Sequence, residues 1–262
     1  MNLVKAEFLK LAYQRRTWGL LVAAIFLSVL GAALSPWAIS RMQNQIVLPL
    51  SQAAVVDSVY SKALGAYIIV LIIGIIVMSS EFHHHTAIAT FLATPKRTRV
   101  LTAKLITAAI WGAAINLVGT LVGMTSAAIA LSFYKDAAQP DSFIWVDYPA
   151  AAVLIGAVLA VVGVGIGTLI RNQNGAVATG LVFFLVVDRI LAVVWTEGGK
   201  YLPTGLISAM MQLHLNIKDK AVGIGFNSAD YLDPLPAAGL MLVYAAVFAV
   251  AAIATTMRRD ID

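Results

Sequence analysis

The chain has 262 residues, of which 60% are hydrophobic and only 12% charged, and its mean hydropathy is +0.87. Ordinary globular domains are roughly 45–50% apolar and about 25% charged, so this composition excludes a water-soluble domain. The lack of cysteine excludes disulfides, thiol chemistry and Cys-ligated zinc. The net charge of +5 comes from basic residues beside apolar runs, which indicates orientation in a membrane rather than nucleic-acid binding.

Several apolar runs approach the roughly 20 residues that a helix needs to cross about 30 Å of hydrocarbon. They are continuous rather than alternating, which predicts helices and not barrel strands. We therefore predict an all-α, polytopic membrane protein with a single transmembrane domain over residues 1–262. Its six spans are expected at residues 17–39, 62–80, 104–133, 149–170, 175–196 and 236–257.

Residues 1–16 are predicted to form an amphipathic helix in the headgroup region. Val4, Phe8, Leu11 and Ala12 share one face of this helix, and its basic residues lie elsewhere. The alternative is a frayed, solvated terminus. No A-x-A-like site follows the first apolar run, so we expect that run to be a retained span rather than a cleaved signal.

The most concentrated polar stretch between two spans runs from Glu81 to Lys104 and reads EFHHHTAIATFLATPKRTRVLTAK. Apolar residues are interspersed through it, which predicts a short amphipathic helix at the membrane surface. Pro95 would end that helix before the chain enters the third span. Eleven of the 18 Lys and Arg residues lie on the same side of the membrane as this stretch and six on the other, so the positive-inside rule places it and both termini in the cytoplasm.

Three consecutive histidines, His83, His84 and His85, raise the question of a metal site. Neighbouring residues on a helix point about 100° apart, so the three cannot face one ion. In an extended segment His83 and His85 could share a face, but no further ligand is evident. We expect no metal here, and an intramembrane metalloenzyme is the weakest of the alternatives.

Polar residues inside the spans are the next candidates for function. Asp188 and Arg189 lie in the fifth span, where buried charge is costly and by default marks a functional site. They either line a substrate path or make a structural contact, by snorkelling to the interface or by meeting a neighbouring helix. For Asn116 in the third span we favour a helix–helix hydrogen bond. An ion- or proton-coupled secondary transporter using Asp188 and Arg189 is the alternative function, although such proteins usually show matching features in both halves, and the first half offers none.

Residues 197–233 are too long and too apolar for a plain outer loop. Pro203 could start a helix from Thr204 to about Ile217 that dips into the outer leaflet. Nowhere does the sequence contain a P-loop, an H-E-x-x-H or a G-x-S-x-G motif. We therefore expect a transport subunit without enzyme activity or a nucleotide site of its own.

Several short motifs occur in an order that resembles the permease subunits of type-2 ABC exporters. Between the second and third spans, the chain resembles the family's E-[YFH]-x-x-x-T segment, its fL-x-x-P-x-x-R stretch and its Lys opening the next span. The matching residues are Glu81, Phe82, Thr86, Phe91, Leu92, Pro95 and Lys104, with Arg97 two residues after the proline. Glu7 and Lys10 resemble the E-x-x-K of the entry helix, Tyr201-Leu202-Pro203 an element after the fifth span, and Arg258-Arg259-Asp260 the C-terminal ending.

The resemblance implies one half of an exporter that moves an amphipathic or hydrophobic compound, such as a drug, antibiotic, peptide or lipid, out of the cell. A second permease subunit, identical or paralogous, would pair with it in the prokaryotic cytoplasmic membrane. Two separate P-loop ATPase subunits would bind ATP and Mg²⁺, so no cofactor is expected on this chain. The segment after the second span would be the coupling helix that contacts an ATPase, with Glu81, Phe82, Thr86, Phe91, Pro95 and Arg97 as its contact residues and Arg171 as a second, smaller contact.

Overall fold

Helices account for nearly all of the residues that the computed structural model describes, which are residues 2–42, 49–83, 97–170, 172–195, 197–211 and 232–258. No strand occurs in these ranges, so the prediction of an all-α fold is confirmed. The α-helices are α1 (Asn2–Tyr13), α2 (Arg15–Met42), α3 (Ala53–Ser61), α4 (Tyr67–His83), α5 (Arg97–Leu131), α6 (Ile144–Leu169), α7 (Gln173–Val182), α8 (Asp188–Val194), α9 (Pro203–Met211) and α10 (Pro234–Arg258). A 3₁₀ turn, Lys62–Ala66, joins α3 to α4, another, Gly199–Tyr201, precedes α9, and a π-helical turn, Phe183–Val187, joins α7 to α8.

Six helical segments are long and apolar enough to cross a membrane, as expected for a multi-pass membrane protein. In chain order they are Arg15–Arg41, Ala53–Glu81, Thr98–Leu131, Ile144–Leu169, Gln173–Val194 and Pro234–Thr255, and they are called the first to sixth spans below. The end of the bundle at which α1 lies is called the entry end.

All six spans begin earlier than their apolar runs suggest, and the second and third show the largest shifts. The second starts at Ala53 rather than near residue 62, because α3 continues through the 3₁₀ turn into α4. The third begins near residue 98 rather than 104, since the basic residues at its start are already helical. Composition marks where a helix becomes apolar, whereas the backbone hydrogen bonds extend further into the polar flanks.

The fourth span is the centre of the bundle and packs against the second, third and sixth. Small residues permit the closest of these contacts. A Cβ on Gly112 of the third span would lie 2.5 Å from the carbonyl oxygen of Gly156, and one on Gly156 would lie 2.4 Å from the carbonyl oxygen of Gly112. The two backbones therefore meet at a point where no side chain fits, as in other helix pairs that use small residues in membranes.

The first, fifth and sixth spans lie at the periphery and leave most of their apolar side chains exposed. Val22 and Phe26 of the first span are typical, with exposed fractions of 65% and 61%. Lipid tails are as apolar as these side chains, so the exposure is what a membrane-embedded surface requires. The second and fourth spans, by contrast, are largely enclosed by protein.

Candidate functional site

Four charged side chains meet at the entry end, where the second span finishes and the third begins. Glu7 and Lys10 come from α1, Glu81 from the last turn of the second span, and Lys104 from the second turn of α5. We call these four residues the ion cluster. It joins three helices that are far apart in the sequence, and it lies where the chain leaves the second span for residues 84–96.

Lys104 is at the centre of the ion cluster. Its Nζ donates to Oε2 of Glu7 at 2.8 Å and lies 2.7 Å from Oε1 of Glu81. Lys10 donates to the same Oε1 of Glu81, and its Nζ is also 3.5 Å from Oε1 of Glu7. Each lysine thus contacts both glutamates, and the two positive and two negative charges balance.

The burial of these side chains is costly unless each charge is paired. Lys104 is 1% exposed, Glu81 3% and Glu7 7%, whereas the side chain of Lys10 is 41% exposed. Charges removed from water are tolerated only when they are paired and hydrogen-bonded. One carboxylate oxygen remains unpaired: Oε2 of Glu81 is buried without a hydrogen-bond partner among the described residues. The cluster therefore depends on all three helices holding their positions.

The local sequence of α1 explains how Glu7 enters the bundle. Leu11, one turn later on the same face, is buried, and the ring of Phe8 stacks on Trp111 of the third span with centroids 5.1 Å apart. At the other end of α1, the indole of Trp18 donates to the carbonyl of Ala12 at 2.8 Å. The predicted apolar face thus packs on the third span, and Glu7 is carried inward beside it.

Lys10 keeps its charge in this setting. Partial burial by itself lowers the pKa of Lys10, but the hydrogen bond and negative charge of Glu81, together with those of Glu7, outweigh it, and the pKa is raised above 10.5. Lys10 is therefore a cation at every physiological pH, so deprotonation of Lys10 does not alter the charge balance of the ion cluster.

Only part of the predicted coupling site falls within the described residues. Glu81 is in the ion cluster, and Phe82 and His83 form the end of α4. Arg97 is the first residue of α5. Thr86, Phe91, Pro95, Arg171 and the histidines His84 and His85 lie outside the described residues. The polar turn that contains Arg171 continues with Asn172, whose side chain caps α7 by accepting from the backbone N–H groups of Asn174 and Gly175.

The second predicted site, Asp188, is fully buried in the fifth span. The hydroxyl of Thr204, on the first turn of α9, donates to Oδ2 of Asp188, while Oδ1 has no partner among the described residues. The carboxylate therefore does not snorkel to the interface. It is held inside the bundle by the helix that follows the fifth span.

A π-helical turn directly precedes Asp188 and helps to point it inward. The buried positions of the fifth span are Ala176, Gly180, Phe184 and Asp188, each four residues after the last. In an α-helix residues four apart are offset by about 40°, so this row would drift away from the core. The turn Phe183–Val187, closed by the bond from the Asp188 N–H to the Phe183 carbonyl, contains more residues per turn and offsets part of the drift.

Arg189 points elsewhere and is partly buried. It lies within electrostatic range of Lys62 and Tyr67, both from the second span. These two neighbours come from the first half of the chain, and Lys62 carries the same charge as Arg189. Asn116 is buried between the third and fourth spans, and its amide donates to the carbonyl of Ala152 at 2.9 Å, which is the helix–helix contact that we favoured.

Two residues of these sites have roles that the residue pattern alone did not reveal. Thr204 looked like the start of an outer helix, and nothing nearby in the sequence connects it to Asp188. Glu7 is not among the residues that define the apolar face of α1, yet it is one of the most buried charges. The signal that could have found it is the E-x-x-K resemblance.

No protein-family model and no curated protein matches the chain.

Proposed function

We propose that this chain is the permease subunit of a type-2 ABC exporter, which moves an amphipathic or hydrophobic compound outward with ATP hydrolysed by partner subunits. The observation that carries the proposal is the ion cluster. Three separate points of family resemblance, Glu7 with Lys10, Glu81, and Lys104, meet in one buried contact. Independent chance similarities have no reason to converge in space.

The position of the cluster suits a coupling role. Residues 84–96 connect the second span to the third, and both flanks of this connection are attached to α1, through the Glu81–Lys10 and Lys104–Glu7 contacts. A force on the connection therefore acts on three helices together. Two packings of this unit, favoured by different states of an ATPase, would supply the bistable element that alternating access needs.

Orientation and partners follow from the same proposal. The entry end faces the cytoplasm, where two P-loop ATPase subunits dock, and a second permease subunit completes the pathway. The exposed apolar faces of the first, fifth and sixth spans provide surface for lipid and for that second subunit.

Co-purification tests the proposal most directly. The complex is extracted from native membranes in mild detergent, and the co-purifying proteins are identified for the natural chain and for a Phe82→Ala, Phe91→Ala double variant. A stoichiometric ATPase that is lost in the double variant supports both the class and the coupling segment. Phe133→Ala is the matched control, since Phe133 lies beyond the opposite end of the third span and is 80% exposed. No ATPase under conditions that preserve other membrane complexes would refute the proposal.

One observation favours a second candidate function, ion- or proton-coupled transport. The buried carboxylate of Asp188 has one oxygen without a partner among the described residues, next to a π-helical turn, and such turns are frequent at functional sites. Gradient-driven flux in vesicles that contain this protein alone, abolished in Asp188→Asn, would establish it. Absence of flux without an ATPase excludes it.

A further inference from the structure

A cavity of about 390 Å³ lies among the fourth, fifth and sixth spans and helix α9. Its longest wall is one face of the fourth span, formed by Val158, Val162, Ile166 and Ile170. Twelve residues separate the first and last of these, so the wall is about 18 Å long at about 1.5 Å per residue. Half of the hydrocarbon core measures about 15 Å, which is close to this length.

The lining is almost entirely apolar, and none of the described residues that form it carries a charge. The two hydroxyl-bearing residues are Thr179 and Tyr244, and the phenol of Tyr244 already donates to the carbonyl of Tyr201 at 3.1 Å. Water in a cavity needs two to four polar partners, which are lacking here. Much smaller apolar cavities stay dry and bind apolar molecules such as benzene or xenon.

The cavity opens sideways from the bundle. Leu169 and Phe183, on two of its walls, are 37% and 38% exposed, whereas Val162, Phe184 and Met241 on its inner walls are at most 5% exposed. The fifth span, which forms this open side, is among the least buried of the six. The molecules facing such an opening in a membrane are lipid tails.

We propose that this cavity binds one acyl chain of a membrane phospholipid, with its polar headgroup outside the cavity. The length of the wall, its apolar chemistry and its lateral opening fit an extended alkyl chain. The volume is near the lower end of the range for small-molecule pockets, which suits a single slender chain. The inference depends only on the position of the cavity within the spans and not on the transport function proposed above.

Photolabelling tests the proposal on the whole chain in vesicles. The protein is reconstituted with a phosphatidylcholine that carries a diazirine in one acyl chain, irradiated, and mapped by peptide sequencing. Labels are expected on Val162, Phe184 and Met241, which are hidden from the surrounding lipid and border the cavity. Ile155 and Met124 are equally buried but do not line it, and they serve as the internal comparison.

Substitutions then separate the cavity from the protein surface. Val162→Phe fills the cavity and is expected to abolish the labels on Phe184 and Met241, while Val162→Ala enlarges it and retains them. Val153→Phe, on an exposed side of the same helix, is the control for the added ring. A monodisperse elution profile confirms folding, and the Val162→Ala comparison stands if Val162→Phe does not fold.

Two outcomes would overturn the proposal. The first is labelling of the cavity residues no stronger than that of Ile155 and Met124. The second is labelling by a free diazirine fatty acid but not by the phospholipid, which would assign the cavity to single-chain amphiphiles instead of a resident lipid.

Discussion

Lys104 and Glu7, 97 positions apart in the sequence, form a buried ion pair with 2.8 Å between Nζ and Oε2. The same ammonium lies 2.7 Å from Glu81. Lys104 is thus the more deeply buried of the two lysines in the ion cluster, and it lies between two carboxylates that would otherwise repel each other. Replacing Lys104 is therefore expected to destabilise the protein more than replacing any other residue of the ion cluster.

Lys104→Met is expected to destabilise the protein by about 3–5 kcal/mol, because it leaves two buried carboxylates with only the partly exposed Lys10 as a counter-charge. The measurement is the thermal unfolding midpoint in a fixed detergent or nanodisc. The double variant Lys104→Met with Glu81→Gln is expected to lose less than the sum of the two single changes, since residues of one network couple. Additive losses would show that the ion cluster is not a single network.

Lys10→Ala is expected to cost about 1 kcal/mol or less, because the side chain of Lys10 is 41% exposed and solvent screens its charges. The raised pKa sets the pH dependence: the contribution is fully present below about 10.5 and is lost as the pH rises through the higher value in the folded protein. The difference in unfolding midpoint between the natural chain and Lys10→Ala should therefore be constant from pH 7 to about 10 and shrink above it. Lys5→Ala, exposed on the same helix, is the matched control. A difference that already vanishes near neutral pH would contradict the prediction.

Gly156→Ala is expected to be destabilising by about 1–3 kcal/mol, as overpacking usually is. The added Cβ would lie 2.4 Å from the carbonyl oxygen of Gly112, and both partners are backbone atoms that cannot move independently. Gly239→Ala in the sixth span is the control, because nothing lies within 4 Å of its Cβ position. That change should be neutral or stabilising, given the helix propensity of alanine. Equal unfolding midpoints for the two variants would argue against the close contact of the third and fourth spans.

Thr204→Val is expected to cost about 1–3 kcal/mol, since it removes the hydroxyl that donates to the buried carboxylate of Asp188. Thr204→Ser keeps a hydroxyl and should retain most of the stability. Asp188→Asn in the Thr204→Val background should recover part of the loss, because the unpaired group is then uncharged. The thermal unfolding midpoints of the three variants measure these changes in stability. No loss in Thr204→Val would mean that the hydrogen bond does not hold α9 in place.

Much of the fold could be predicted from the sequence because membrane helices satisfy their own backbone hydrogen bonds. The apolar runs therefore show the number and order of the spans without any knowledge of their packing. The start of the second span was less visible, since Asp57 and Ser58 make α3 look like a polar connection although α3 is mostly buried. The residue pattern places the boundary at such polar residues, although the helix itself extends beyond them.

The sites were harder to predict because their contacts join distant residues. Nothing between Asp188 and Thr204, 16 positions apart, indicates that α9 folds back against the fifth span. The π-helical turn is equally hidden, since an apolar run of this kind has the same pattern in either type of helix. The family resemblance selected Glu7, Lys10, Glu81 and Lys104 individually, but only the packing of three helices shows that they are one cluster.

The long separation of Glu7 and Lys104 in the chain also sets an order of assembly. At about 5–20 residues per second, extending the chain by the 97 positions from Glu7 to Lys104 takes about 5–20 s. During that interval Glu7 and Lys10 exist while Lys104 has not yet been made. Helix α1 therefore stays at the membrane surface until Lys104 is made. There Lys5, Lys10, Arg15 and Arg16 favour contact with anionic headgroups. Its docking then follows insertion of the third span, so α1, although it is made before that span, is among the later helices to reach its final position.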